Sequence, residues 1–84
     1  MKYSVFWTAP ADKDLWKLPE PIAQRIFDKV NSLGDDPYRT AERCEGYPFY
    51  HQRIGAYRAI IEIDDSAQVI TVHKVGPRKK VYDR

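Results

Sequence analysis

The spacing of apolar positions changes character along the chain. Residues 2–7 (KYSVFW) are dense in β-branched and aromatic side chains and predict a first strand. From residue 8 the period lengthens. Thr8 can cap a helix with Pro10 in its first turn, where a missing N–H costs nothing. Ala11, Leu15 and Leu18 recur at spacings of four and three, which makes one apolar stripe, and Pro19 stops the helix. Pro21 falls in the first turn of a second helix, in which Ile22, Ile26, Val30 and Leu33 form the buried face. Gly34 is the expected left-handed residue just beyond Leu33. A connection of about two residues sets the helices as an antiparallel hairpin.

Residues 35–46 carry turn signals in Asp36-Pro37 and Gly46 and read mostly as a loop, with room for a short helical turn. Three strands follow, at 49–54, 57–63 and 69–75, with Gly55-Ala56 and residues 64–67 as the turns between them. The expected fold is α+β, in the order β-α-α-β-β-β. The helical hairpin packs on one face of an antiparallel meander sheet, because nothing else in the chain can cover that face, and the other face stays open. No repeat or low-complexity stretch interrupts the chain, so residues 1–84 read as a single domain.

Eighty-four residues leave no room for a second core. A domain of this size buries only about 60–65% of the surface its unfolded chain exposes, so modest stability and help from a partner are expected. The longest apolar runs fall far short of the roughly 20 residues of a membrane span, and no secretory signal is expected. Cys44 is the only cysteine, which excludes an internal disulfide or a thiolate metal cluster and points to a reducing, cytoplasmic setting. His51, Glu62 and His73 lack metal-motif spacing, so neither a metal nor a cofactor is expected.

Alternation selects the face that carries chemistry. Ala59, Ile61 and Ile63 are uniformly apolar and face the helices, which sends Arg58, Ile60 and Glu62 outward. Ile70 and Val72 face the helices too, leaving Thr71 and His73 on the side of Arg58. A two-residue type II′ turn with Gly55 first pairs Ile54 with Tyr57 and Arg53 with Arg58. His51, two residues back, joins them. Like charges across a ladder destabilise it. At about 5 Å and an effective dielectric near 20 the repulsion is about 3 kcal/mol, less where water screens it. A bound polyanion converts that repulsion into affinity, and guanidinium forks onto phosphate oxygens. The alternative is that the two side chains splay apart into water.

Charge is unevenly spread. The net formal charge is +2, but residues 1–46 sum to −1 and residues 47–84 to +3. The last eleven residues hold Lys74, Arg78, Lys79, Lys80 and Arg84 against Asp83 alone. An anionic partner and a merely solvated basic tail both fit this asymmetry. Gly76-Pro77 is expected to break the last strand and let the tail fold across the sheet, bringing Arg78 and Tyr82 towards Arg53 and Arg58. A tyrosine ringed by cations has its phenolate favoured, as proton transfer needs; a ring packed on the sheet edge is the plainer reading.

Leu15, Leu18-Pro19, Leu33-Gly34-Asp35-Asp36-Pro37, Arg53-Ile54-Gly55-Ala56-Tyr57-Arg58 and Val75-Gly76-Pro77-Arg78 with Val81-Tyr82 resemble the RelE/ParE family of toxin–antitoxin toxins over nearly the whole chain. The pairing of RxGxYR with a downstream VGxRxxVY-like segment is the specific part. The RelE-like branch, as the resemblance implies, enters the ribosomal A site and cuts mRNA without metal. The ribose 2′-OH attacks the adjacent phosphate and leaves a 2′,3′-cyclic phosphate and a 5′-OH.

By position, the resemblance makes Arg58 the phosphate-holding arginine, Arg78 the tail arginine that stabilises charge and protonates the leaving group, and Tyr82 the base or base-stacking residue. Arg53 and His51 fall where well-known members carry lysines. His51 can act as a neutral base or a charged acid in place of a lysine. Lys74, Lys79, Lys80 and His73 complete the expected RNA-binding set. Pro77 stands where many relatives show His or Lys, so one proton donor is missing, and His73 is the available substitute; the plainer reading of His73 is a partly buried strand residue.

Cys44 falls at a usual leucine position and reads as a small core hydrophobe rather than a nucleophile. Trp7 and Trp16 read as core or partner-facing aromatics. The resemblance also implies a cognate antitoxin that masks the cationic face, contact with ribosomal RNA and mRNA, and a toxin–antitoxin complex able to bind operator DNA. ParE-like members of the same fold poison DNA gyrase instead, and a weakened relative would only bind RNA or antitoxin.

Overall fold

The computed structural model describes residues 2–44, 46 and 48–77. Its elements are β1 (Ser4–Trp7), α1 (Ala9–Trp16), α2 (Glu20–Asn31), a 3-10 turn (Ser32–Gly34), β2 (Glu42–Arg43), β3 (Tyr50–Ile54), β4 (Tyr57–Asp64) and β5 (Val69–Pro77). The strands form one sheet in the order β1-β5-β4-β3-β2. β3, β4 and β5 make the expected antiparallel meander, while β1 lies parallel to β5. β2 pairs antiparallel with β3 and was not expected from the sequence, where two residues inside a polar loop carry no alternation to detect.

Thr8 caps α1 as anticipated, its Oγ1 accepting from the Ala11 N–H at 3.2 Å. The helix ends at Trp16, so Leu18 packs from the connection rather than from the helix. The buried residues of α2 are Ala23, Ile26 and Val30, with Ile22 partly buried at the rim and Leu33 carried by the 3-10 turn. Together with Leu15, Ile61, Ile70 and Val72 they form a single core between the helices and the sheet. Trp7 and Trp16 flank Phe27, at ring separations of 5.6 and 5.9 Å, along one side of the hairpin.

Gly34 is not left-handed; among the described residues positive φ occurs only at Gly46, Gly55 and Gln68. Its constraint is proximity. A Cβ there would stand 2.7 Å from the Tyr3 carbonyl oxygen, and the Gly34 carbonyl accepts from the Tyr3 N–H at 2.7 Å. The residue is small because β1 runs directly against it.

Two features of β5 shape the open face. The register slips between Ile60 opposite Lys74 and Ile61 opposite Val72, which leaves His73 as the extra residue of a β-bulge. The bulge switches the helix-facing positions from Ile70 and Val72 to Val75. The strand also does not stop at Gly76-Pro77 but continues through Pro77, opposite Tyr57. β1 pairs only with Val69 to Val72, so among the described residues no strand pairs with this half of β5 on the side away from β4, and a proline there removes no ladder bond to β1.

Candidate functional site

The site grows from the tightest turn in the sheet. Gly55 has φ +61° and Ala56 stays out of the left-handed region, as a type II′ turn requires. That turn sets Ile54 against Tyr57 and Arg53 against Arg58. Parity then places His51, Arg53, Arg58 and Ile60 on the face away from the helices, because their neighbours Gln52, Ala59 and Ile61 are buried under them.

The two arginines are not equivalent. Arg53 is exposed, whereas Arg58 is 2% exposed and is among the largest fully buried side chains. The alternative in which both side chains splay apart into water therefore fails for Arg58. Gly76 stands opposite Arg58 in the β4–β5 register and has no side chain to compete for that space. Sinking a guanidinium into the sheet surface removes it from bulk water and strengthens its field at the face.

β2 adds a cluster that the sequence did not foretell. Glu42 pairs with His51 in register, and its Oε1 lies 2.9 Å from His51 Nε2. On the other side of the ring, Cys44 Sγ lies 3.6 Å from His51 Nδ1. His51 is 7% exposed, with a contact at each ring nitrogen. The bond from His51, followed by the charge of Arg53, holds the Glu42 carboxyl below the usual carboxylate range. Cys44 is thus not a core residue. It sits half-buried beside the imidazole, and burial pushes its thiol above the ordinary range, with the Arg58 charge opposing. The signal for this cluster is the β2–β3 pairing, which a reading of residues 35–46 as loop cannot supply.

His73 also lies on this face. Its Nε2 is 2.9 Å from Glu62 Oε1, and its ring packs 5.1 Å from that of Phe49. Lys74 is exposed opposite Ile60. Arg53, Arg58, His51, His73 and Lys74 are therefore gathered on one side of the sheet. Arg78, Lys79, Lys80 and Tyr82 lie outside the described residues. Among the described residues no group of three or more His, Cys, Asp or Glu side chains is placed to hold a metal ion, and no helix is long and apolar enough to cross a membrane.

Away from the face, Gln52 is buried on the helix side and is satisfied by Thr40 Oγ1, which donates to its Oε1 at 2.7 Å, and by the Arg53 carbonyl, which accepts from its Nε2 at 2.9 Å. This ties the loop before β2 to the strand that carries Arg53.

Residues 5–82 match the family described as the ParE toxin of the type II toxin–antitoxin system parDE. Toxin RelG of Mycobacterium tuberculosis is 31% identical over 87 residues, an alignment that spans the whole of both chains. Among solved structures, the toxin–antitoxin complex RelBE2 from Mycobacterium tuberculosis superposes with a TM-score of 0.84 at 30% identity, covering 93% of each chain. The archaeal RelE–RelB complex from Pyrococcus horikoshii superposes with a TM-score of 0.75 at 26% identity, covering 93% of this chain and 97% of that one.

Proposed function

Because the chain belongs to the RelE/ParE family of type II toxin–antitoxin toxins, we propose that it is a ribosome-dependent endoribonuclease that cleaves mRNA in the ribosomal A site. The observation that carries this reading is the direct pairing of Arg53 with Arg58 on the open sheet face. The pairing concentrates two guanidiniums on one face, and guanidinium forks onto the oxygens of a scissile phosphate.

In the proposed reaction the ribose 2′-oxygen attacks the adjacent phosphorus and loses its proton. The P–O5′ bond breaks, the 5′-oxygen takes up a proton, and a 2′,3′-cyclic phosphate and a 5′-OH remain. Negative charge accumulates on the non-bridging oxygens at the transition state. Arg58 is fixed by burial and Arg53 reaches from the neighbouring strand, so these cations need little reorganisation to meet that charge. Arg78 and Tyr82 are proposed as the tail residues that assist the leaving group and the attacking hydroxyl.

His51 takes a different role from the one its sequence position suggests. With Nε2 at Glu42 and Nδ1 at Cys44, it meets a substrate proton only after one of those contacts breaks. It serves as a spacer that fixes Glu42 beside Arg53, and proton transfer falls to Tyr82. Lys74 and the tail lysines Lys79 and Lys80 contact RNA backbone.

The partner proposed for the chain is an antitoxin, as in the RelE–RelB complex it resembles, and the toxin–antitoxin complex is proposed to bind operator DNA. The site of action is proposed to be cytoplasmic. The ParE description of the matching family favours a second reading, inhibition of DNA gyrase. Primer extension on translated mRNA separates the two. Cuts within A-site codons, leaving 5′-OH ends that accept phosphate from polynucleotide kinase directly, support the nuclease. Intact mRNA accompanied by gyrase-dependent DNA breaks overturns it.

A further inference from the structure

Beyond the arginine pair, the open face has a second end with different chemistry. His73 lies on it by the alternation that also places Thr71 there, and the β5 bulge sets Lys74 on the same side. The His73 ring meets Phe49 at 5.1 Å with planes 45° apart, and its Nε2 meets Glu62 Oε1 at 2.9 Å. Phe49 follows the Tyr50–Ile61 pair and so comes beside Glu62, while its backbone carbonyl accepts from the Cys44 N–H at 2.9 Å. Glu62 pairs with Thr71, and Thr71 with Phe6. Phe6 is 59% exposed, so the row running from Phe49 across the sheet ends on a bare ring. At strand spacings near 4.8 Å the two phenyl rings stand about 14 Å apart.

The sheet face is thus divided. Its Arg53–Arg58 end attracts phosphate; its Phe49–His73 end carries a carboxylate that repels phosphate but leaves aromatic surface in reach. Single-stranded RNA on an open sheet is held in this way, by backbone on cations and bases on rings. A carboxylate beside such a ring accepts hydrogen bonds from base amino groups and has lone pairs beyond the one His73 uses. Uracil offers no amino group.

We propose that Phe49 and His73 form a stacking platform for one nucleobase near the scissile phosphate, and that Glu62 selects a base bearing an amino donor over uracil. Phe6 extends the platform towards the next base. The inference rests on the nuclease reading and names the element that would set its sequence preference.

The test is ribosome-dependent cleavage of a set of mRNAs whose A-site codons differ by single bases, followed by primer extension. Phe49→Leu keeps apolar volume but removes the ring and is expected to lower kcat/KM about 10- to 100-fold. Phe49→Tyr restores a ring and is expected to recover the rate. Glu62→Gln replaces the charged acceptor by a weaker one and adds a donor, and is expected to reduce the preference for amino-bearing bases over uracil about tenfold or more, chiefly by slowing cleavage at the amino-bearing codons. Thermal melts of each variant separate lost stacking from lost folding. Unchanged codon profiles and rates in folded Phe49→Leu and Glu62→Gln overturn the platform and leave the nuclease standing. Absence of cleavage by the unmodified chain overturns the nuclease reading, and the platform with it.

Discussion

Gly34→Ala is the sharpest test of how the fold is held, because two accounts of this glycine predict opposite behaviour. The added Cβ would lie 2.7 Å from the Tyr3 carbonyl oxygen, a backbone atom with no rotamer to change. Ordinary contact sets such atoms roughly 3.5 Å apart, so about 0.8 Å must come from moving β1 away from the 3-10 turn. That movement strains the bond from the Tyr3 N–H to the Gly34 carbonyl, 2.7 Å long, whose loss costs about 1 kcal/mol. Overpacking adds about 1–3 kcal/mol. The sum is about 2–4 kcal/mol, which for a domain of this size lowers Tm by about 10–30 °C. Urea unfolding followed by tryptophan fluorescence reads it directly. Gly34→Asn gives the discrimination. A left-handed cap tolerates Asn better than Ala, whereas close approach penalises the larger side chain more. Gly34→Ala within about 0.5 kcal/mol of the parent, or Gly34→Asn more stable than Gly34→Ala, would refute the close-approach argument.

Three further outcomes are expected. On the proposed nuclease reading, Arg58→Ala and Arg78→Ala are each expected to lower ribosome-dependent cleavage by at least about 10²-fold, since each would remove a proposed transition-state contact; rates within a fewfold of the parent would remove those residues from the site. Tyr38, whose hydroxyl donates to both oxygens of Asp65 at 2.8 Å, has its phenol pushed up to about 12, chiefly by that bond. Its folded value lies above the unfolded one, so the tie is whole below about pH 10 and is lost as pH rises through about 12. The bonds from Tyr3 and then Tyr38 hold Asp65 low, so its contribution is present above the ordinary carboxylate range and is lost as pH falls through the depressed value. A tyrosine absorbance titration of Asp65→Asn returning Tyr38 towards 10 checks this, and an unshifted curve contradicts it. Cys44, raised by burial, is expected to alkylate with iodoacetamide at pH 8 much more slowly in the folded protein than in urea; equal rates would place the thiol in open solvent.

Much of the fold was legible because its signals are local. Thr8 and Pro10 mark a helix start, Pro19 a stop, and Gly55-Ala56 a turn whose type dictates register without reference to anything distant. The Arg53–Arg58 pairing follows from that turn alone, which is why the cationic centre could be assembled on paper. Residues 35–46 were harder. Glu42 and Arg43 become a strand only because β3 presents an edge to them, and the contacts of His51 with Glu42 and Cys44 depend on that pairing. Gly34 reads identically as a cap and as a close approach until β1 is seen beside it.

The amino-acid order by itself determined the order of the two helices and of every strand but β2, the helix-facing stripes and the meander, since periodicity and turn chemistry act within a few residues. Tertiary structure alone decided that β1 joins β5 in parallel, that a bulge sets Lys74 beside His73 on the open face, and that Arg58 sinks from view while Arg53 does not. These depend on which distant segments compete for the same space, and a one-dimensional pattern carries no record of that competition.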